Sequence, residues 1–226
     1  MSMSSVLNYL ASLEQNNTRE WFHANKQEYQ EAFGEFELLV GNLVMELRKT
    51  NPKLPLVNPK ELTFKLQRDT RFSHDKSPYN PAFRAHIGEH GKLPIPVGCY
   101  LMIRPGGRSF LGGGLFADMF KDATSMVRDF ISANGDEWDQ IITAPQFKEC
   151  FTVQGTALKR VPQGYDPDHP QAEFLKYKSW FIEFPVSDAL IADKHFVNYA
   201  AEIFSKMEAF HNYLNRALAD FKMPTR

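Results

Sequence analysis

The fold is decided by the stretch Val97-Gly98-Cys99-Tyr100-Leu101-Met102-Ile103-Arg104-Pro105-Gly106-Gly107-Arg108-Ser109-Phe110-Leu111. Residues 97–103 are apolar on both faces of a strand, which is typical of a strand in the middle of a sheet. Residues 104–108 are rich in Gly and Pro and predict a turn. A second strand then begins at Ser109, so the stretch predicts two consecutive strands of one sheet.

Further strands and helices are predicted on both sides of this stretch. Apolar and polar residues alternate over residues 62–67 and 83–87, and apolar residues return on one face over 180–184, which predicts three more strands. Residues 29–47 and 196–221 carry apolar side chains at helical spacing. Strands joined by turns, with helices at both termini, predict a single α+β domain over residues 1–226, with a central, mostly antiparallel sheet flanked by N- and C-terminal helices.

The composition is that of a packed globular protein. Hydrophobic residues make up 43% of the chain and charged residues 23%, which is ordinary for such proteins. The net charge is −1. Broad, non-specific binding of nucleic acid needs an excess of Lys and Arg, so the net charge argues against it and leaves room only for a local basic patch.

The cysteine content and the N-terminus bear on localisation. Cys99 and Cys150 are the only cysteines, which is too few to staple a chain of this length and favours a reducing compartment. The first residues lack the basic segment and apolar core of a signal peptide. No apolar run approaches the roughly 20 residues that span a bilayer. We therefore expect a cytoplasmic protein that does not enter a membrane.

Charged side chains gather where the strand predicted over residues 62–67 ends. The cations are Lys65, Arg68, Arg71, Lys76 and Arg84, and the carboxylates among them are Asp69 and Asp75. Arginine suits phosphate or carboxylate because its planar fork donates two parallel hydrogen bonds. The cluster therefore predicts an anion-binding site.

A second basic cluster brackets the Gly- and Pro-rich loop predicted over residues 153–169. Its members are Lys159, Arg160, Lys176 and Lys178. If the two clusters face each other, they focus positive potential on one pocket. The structural alternative is internal ion pairing, of Arg68 with Asp69 or Asp75 and of Lys159 with Asp166 or Asp168.

The triplet Gly112-Gly113-Gly114 follows a predicted strand and precedes a predicted helix, with Asp118 as its candidate N-cap. Backbone amides at such a junction can hold a phosphate, and Gly113 lies at its centre. Three glycines in a row match neither the Walker pattern nor the dinucleotide fingerprint. A bulge or a close backbone crossing explains them equally well.

Two histidine-containing segments are candidates for catalysis. His86-Ile87-Gly88-Glu89-His90 has the spacing of an inverted zinc-peptidase motif, but that chemistry needs both histidines on one helical face, and Gly88 with the alternating residues before it favours a hairpin. In Asp166-Pro167-Asp168-His169-Pro170, carboxylates flank His169, which makes His169 the best candidate for a general acid or base. The alternative is that Asp168 or His169 caps a helix beginning at Pro170.

Four motifs in order along the chain resemble a known family. They are Asn16-Asn17-x-Arg19-x-Trp21-Phe22-x-x-Asn25-Lys26-x-x-Tyr29, then Arg68-Asp69-x-Arg71-Phe72-Ser73-x-Asp75-Lys76-x-Pro78-Tyr79, then Gly112-Gly113-Gly114, and finally Leu158-Lys159-Arg160-x-Pro162-x-Gly164 with Asp168-His169-Pro170. The chain resembles the conserved hypothetical proteins of bacteria and fungi that are grouped as a domain of unknown function. The resemblance implies a single domain and implies no particular activity.

The leading hypothesis from the sequence is a pocket for an anionic, phosphorylated ligand. Arg68 and Arg71 would clamp the anion, and Asp75 and His169 would be available for proton transfer. Further positive charge and a backbone contact would come from Lys76, Arg84, Lys159, Arg160 and Gly113. No cofactor and no metal are expected. The alternative is a non-catalytic module that binds protein or nucleic acid, and a third hypothesis is a metal-dependent hydrolase that uses His86, Glu89 and His90.

Overall fold

A four-stranded antiparallel sheet lies at the centre of the structure, a computed structural model that describes residues 2–116 and 120–224. The strands are β1 Phe83–Ile87, β2 Cys99–Ile103, β3 Ser109–Leu115 and β4 Trp180–Val186, and each pairs with the next in chain order. The helices are α1 Met3–Gln15, α2 Arg19–Ala24, α3 Lys26–Leu47, α4 Pro59–Leu62, α5 Lys121–Ala133, α6 Gly135–Thr143, α7 Pro145–Lys148, α8 Ala172–Leu175, α9 Asp188–Ile191, α10 Phe196–Lys206 and α11 Glu208–Ala217. The predicted α+β class, with an antiparallel sheet and helices at both ends of the chain, is confirmed.

The two faces of the sheet have different surroundings. The register between the strands is unbroken, so residues of all four strands form rows that point alternately to one face and to the other. One face, here called the core face, is buried and carries Phe83, Ala85, Ile87, Leu101, Ile103, Leu111, Leu115, Trp180 and Ile182. The other face, here called the open face, carries side chains that are mostly half-buried, among them Arg84, Tyr100, Met102, Phe110, Phe181 and Glu183.

The longer helices cover the core face. α3 contacts β1, and α10 and α11 contact β3. α3 buries one stripe of apolar residues at helical spacing, namely Phe36, Leu39, Val40, Leu43, Val44 and Leu47. These side chains and those of the core face belong to one continuous hydrophobic core that also includes α1 and α5.

The turn predicted over residues 104–108 joins β2 to β3. Gly106 and Gly107 have φ angles of 80° and 68°, a region that glycine enters without the steric cost of a side chain. The carboxylate of Asp188 accepts hydrogen bonds from both backbone amides, at 2.8 and 3.0 Å. Asp188, the first residue of α9, therefore stabilises the hairpin between β2 and β3, although it lies 82 residues from Gly106 in the sequence.

Two predicted elements differ from those observed. Of the strand predicted over residues 62–67, Leu62 is the last residue of α4, and residues 63–67 form an extended segment that makes only isolated bridges, Thr63 with Ala85 and Gln67 with Tyr79. The helix predicted over 196–221 is two helices that meet at Met207. The Met207 amide bonds the Phe204 carbonyl, an i to i−3 bond that tightens and ends the last turn of α10.

Within residues 2–116 and 120–224, none of the helices combines the length and the apolar character that crossing a bilayer requires.

Candidate functional site

The charged motif after residue 67 forms a loop that is braced by its own side chains. The guanidinium of Arg68 forms an ion pair with Asp75. It also donates to Ser73 Oγ at 3.4 Å and to the Ser77 carbonyl at 3.3 Å. The ion pairing that the sequence offered as a structural alternative is thus present at Arg68. Much of the hydrogen-bonding capacity of this arginine serves the loop itself.

Arg71 is also paired, and its side chain is exposed. Its guanidinium forms a forked pair with Asp69, with Nε–Oδ1 and Nη2–Oδ2 distances of 2.9 and 2.6 Å. The neighbouring Phe72 is 94% exposed. Arg71 does not line the cleft that Arg68 lines.

Asp75 is poorly suited to proton transfer. Hydrogen bonds from Ser77, and then the Arg68 guanidinium, hold the pKa of this carboxyl well below its usual range. A carboxylate that is stabilised in its ionised form accepts a proton weakly at neutral pH. The position of Asp75 therefore supports a bracing role in the loop.

The loop is fastened to the N-terminal helices by Asn17. The side-chain amide of Asn17 donates to the Tyr79 carbonyl at 2.9 Å and accepts from the Tyr79 amide at 3.1 Å. The ring of Phe22 stacks on that of Tyr79, with centroids 4.1 Å apart. Asn17 thus pairs with Tyr79 as a neighbouring strand would, and the first two sequence motifs meet in space.

A cleft opens where these two motifs meet, and we call it the corner cleft. Its volume is about 470 Å³, and it is lined by Asn17, Arg19, Arg68, Thr70, Lys76 and Tyr79, together with Glu20 and Gln67. Arg19 and Lys76 are exposed, and Lys76 Nζ donates to the Thr70 carbonyl at 3.0 Å. Of the residues predicted from the sequence, the corner cleft gathers Arg68 and Lys76. Sequence reasoning did not find Arg19, because only the fold brings it here.

The second basic cluster lies far from the corner cleft. Ala157 bridges to Tyr177 and Gln154 to Phe181, so Lys159 and Arg160 belong to a segment outside β4, near the start of that strand. Arg68 belongs to a segment outside β1, near the start of β1, and the antiparallel order sets these two starts at opposite ends of the sheet. Five interstrand spacings, or roughly 24 Å, separate the two edges. The two clusters do not form one pocket.

His169 is engaged at both ring nitrogens. Its Nδ1 accepts from the Gln171 amide at 3.0 Å, so Nε2 carries the proton and donates to the Ser132 carbonyl, 3.1 Å away. These bonds tie the loop to the end of α5 and leave neither nitrogen for a substrate. The helix predicted to start at Pro170 starts later, with Gln171 as the N-cap residue of α8.

Gly113 lies inside β3, paired with Cys99 and Ile182, and is not part of a phosphate-binding turn. A Cβ atom at Gly113 would lie 1.9 Å from Nε2 of His211 on α11. At Gly113 the close neighbour is a side chain, the His211 ring, rather than the crossing backbone that the sequence offered as an alternative. The predicted cap Asp118 lies outside the described residues.

The H-x-x-E-H segment does not form a helical zinc motif. His86 is on β1, and Glu89 and His90 are in the turn closed by hydrogen bonds between Gly88 and Gly91. His86 is buried, and burial lowers its pKa to about 4. In the part of the chain that the structure describes, no three His, Cys, Asp or Glu side chains are grouped so as to hold a metal ion.

Arg84 lies on the open face. Its guanidinium donates to the Lys65 carbonyl at 3.0 Å and lies 5.6 Å from the centre of the Phe64 ring. The same face carries Tyr100, whose ring stacks on Phe110 at 5.8 Å. It also carries Glu183, whose pKa is raised by burial. Alternation along β4 was the available sign that Glu183 shares this face.

Comparison with known sequences identifies the family. The sequence profile of a conserved hypothetical protein family, DUF2461, matches residues 5–213. The chain belongs to this family, whose designation marks a domain of unknown function. No curated protein and no solved structure matches the chain.

Proposed function

We propose that this protein binds a phosphorylated, anionic ligand in the corner cleft. The observation that carries the proposal is the bond of Asn17 to both backbone groups of Tyr79, which brings two distant motifs around one cleft. Arg19, Arg68 and Lys76 line it against one carboxylate, Glu20. Cations gathered around a cleft focus positive potential and raise the local concentration of anions.

The roles within the site differ from those expected from the sequence. Arg19 and Lys76 supply charge from exposed positions, while Arg68 holds the loop and presents its remaining donors. Asp75 and His169 do not line the cleft, so the proposal is binding without proton transfer by these residues. The two free cysteines support a cytoplasmic location as part of the same proposal.

The test is thermal unfolding against a panel of inorganic phosphate, pyrophosphate, nucleotides and sugar phosphates. A ligand present at about a hundred times its dissociation constant adds roughly 2.7 kcal/mol, which raises Tm by about 5–10 °C in a domain of this size. Arg19→Gln and Lys76→Gln should abolish the shift, because both side chains are exposed in the cleft.

Arg71→Gln is the matched control, since Arg71 is an exposed arginine of the same loop that does not line the cleft. It should keep the shift. A panel that produces no shift, or a shift that Arg71→Gln removes as fully as Arg19→Gln does, would reject the corner cleft as the binding site.

A further inference from the structure

The corner cleft continues into a second groove along the edge of the sheet. This edge groove has a volume of about 750 Å³, and its lining includes Phe33, Lys60, Phe64, Lys65 and Lys92. Gln67 lines both cavities. The two therefore adjoin along the extended segment that pairs with β1.

The edge groove is basic. Lys60, Lys65 and Lys92 are all exposed. The carboxylate that lines the groove belongs to Glu61, whose Oε1 accepts from the Asn58 amide at 3.2 Å in a helix cap. The edge groove and the corner cleft together form a path that six cations and two carboxylates line, in a chain whose net charge is −1. One of the six, Arg68, is ion-paired with Asp75, so five cations of the path are not offset in this way. This local excess of positive charge suits an anionic polymer.

Two of these lysines, Lys92 and Lys76, lie at the two ends of the path. Lys92 Nζ donates to the Thr63 carbonyl at 3.3 Å, and Lys76 Nζ donates to the Thr70 carbonyl at 3.0 Å. A chain extended from residue 63 to residue 70 spans at most about 23 Å. A mononucleotide would occupy one end of such a path. A single strand of about four nucleotides, the lower end of the site sizes found for one OB fold, suits its length.

Aromatic rings accompany the charges. Phe64 and Phe33 line the edge groove, and the Arg84 guanidinium lies 5.6 Å from the centre of the Phe64 ring. Proteins that bind single strands combine a basic groove that follows the backbone with rings and arginine planes on which bases stack. Double-stranded nucleic acid presents no free base faces to such rings.

We propose that the edge groove and the corner cleft together bind a short segment of single-stranded nucleic acid. Its phosphates lie along Lys92, Lys65 and Lys76, and its bases stack against Phe64 and Phe33. The inference rests on the proposed function of the corner cleft as a phosphate site and extends it to a polymer. It concerns a local groove, so it agrees with a net charge that disfavours broad binding of nucleic acid.

The experiment is fluorescence anisotropy of the full chain with labelled oligo-uridine and oligo-thymidine, from dinucleotide to octanucleotide, over a range of salt concentrations. Affinity should rise about tenfold or more between dinucleotide and tetranucleotide, as the path fills. The double variant Lys65→Glu, Lys92→Glu should lower tetranucleotide affinity by a similar factor. It should also reduce the slope of log K against log salt by about 1.4, since two phosphate contacts are lost.

The controls separate this inference from the proposed function. Lys194→Glu changes an exposed lysine that lines neither cavity and should leave the affinity unchanged, whereas Phe64→Ala should weaken single-strand binding. A tetranucleotide that binds no tighter than a dinucleotide overturns the inference, as does equal binding of a duplex or equal loss in Lys194→Glu. If the oligonucleotide results overturn the inference but pyrophosphate still binds and Arg19→Gln abolishes that binding, the corner cleft is supported as a phosphate site. Only its extension to a polymer is then rejected. If pyrophosphate does not bind either, the proposed function fails as well.

Discussion

His211 is buried against the backbone of β3, and Gly113 is the residue that admits it. A side chain at position 113 would overlap the imidazole, since even a Cβ would lie 1.9 Å from Nε2. Burial, and then the nearby His86, lower the pKa of His211 to about 3. The imidazole is therefore neutral at physiological pH and acts as a packing group. One contact explains why glycine stands in the middle of a central strand, where it otherwise weakens the sheet.

Replacing Gly113 should test this contact directly. Gly113→Ala forces His211 or the strand to move, and overpacking of this kind costs about 1–3 kcal/mol or more. In a domain of this size Tm should fall by about 2–4 °C for each kcal/mol. Thermal unfolding measures the loss. In a His211→Ala background the same replacement should cost much less, because the clashing ring is gone.

Gly34→Ala is the control, because a Cβ at Gly34 on α3 meets no atom within 4 Å. It should be neutral or slightly stabilising, since alanine is the better helix former. If Gly113→Ala costs as much without His211 as with it, the strand rather than the ring imposes the glycine.

At the scale of elements, the sequence pattern predicts those strands whose formation depends on residues close together in the chain. The alternation of Phe83, Ala85 and Ile87 predicted β1, and the run before the Gly-Pro turn predicted β2. The glycine triplet predicts a turn or a bulge rather than a regular strand, because glycine disfavours strands and the ring on α11 that requires Gly113 is distant in sequence. The segment 62–67 alternates like a strand, but it forms a single bridge to β1, between Thr63 and Ala85.

The candidate site likewise contains residues that a local sequence pattern predicts and residues that only the fold brings together. Sequence reasoning found Arg68 and Lys76 because charges clustered within one loop are visible as a local run. It did not find Arg19 as their neighbour, since Asn17 and Tyr79 are 62 residues apart and only packing brings them together. It also joined Lys159 to the first cluster, because charge alone does not tell which sheet edge a loop lies on.

The junction between the N-terminal helices and the loop before β1 should depend on Asn17. Asn17→Ala removes both bonds to the Tyr79 backbone, and part-buried backbone groups left unpaired cost about 1–3 kcal/mol. Chemical denaturation should show this loss, and ligand binding at the corner cleft should weaken as the two motifs separate. Asn8→Ala, at an exposed position of α1, should change neither. Unchanged stability in Asn17→Ala would mean that the Phe22–Tyr79 stack is sufficient to hold the junction.

At the scale of the whole molecule, one hydrophobic core unites the helices with the sheet, and two buried imidazoles tie its stability to pH. Burial lowers the pKa of His86 to about 4 and that of His211 to about 3, whereas an unfolded histidine titrates near 6.5. Between these values the unfolded chain binds more protons than the folded one. Stability is therefore full above about pH 6.5 and is lost as the pH falls toward the folded pKa values.

The free energy of unfolding should accordingly decrease between about pH 7 and pH 5, by up to about 1.4 kcal/mol per pH unit for each imidazole at the lower end. Denaturant titrations at a series of pH values measure the slope. His211→Asn removes one titrating group and should make the slope shallower. Asn8→Ala, which removes no titrating group at an exposed position of α1, should leave the slope unchanged. A slope that His211→Asn does not alter would place the acid sensitivity elsewhere.

During translation β4 is synthesised well after β3, and this delay affects the nascent chain. β3 can pair with β2 at once, but its other partner follows only after about 60 further residues. At roughly 5–20 residues per second, a nascent chain spends several seconds with one side of β3 unpaired. An unpaired edge is a template for pairing with other chains, and β3 carries no charged residue to discourage it. We therefore expect the edge of β3 to be most open to pairing with other chains during translation.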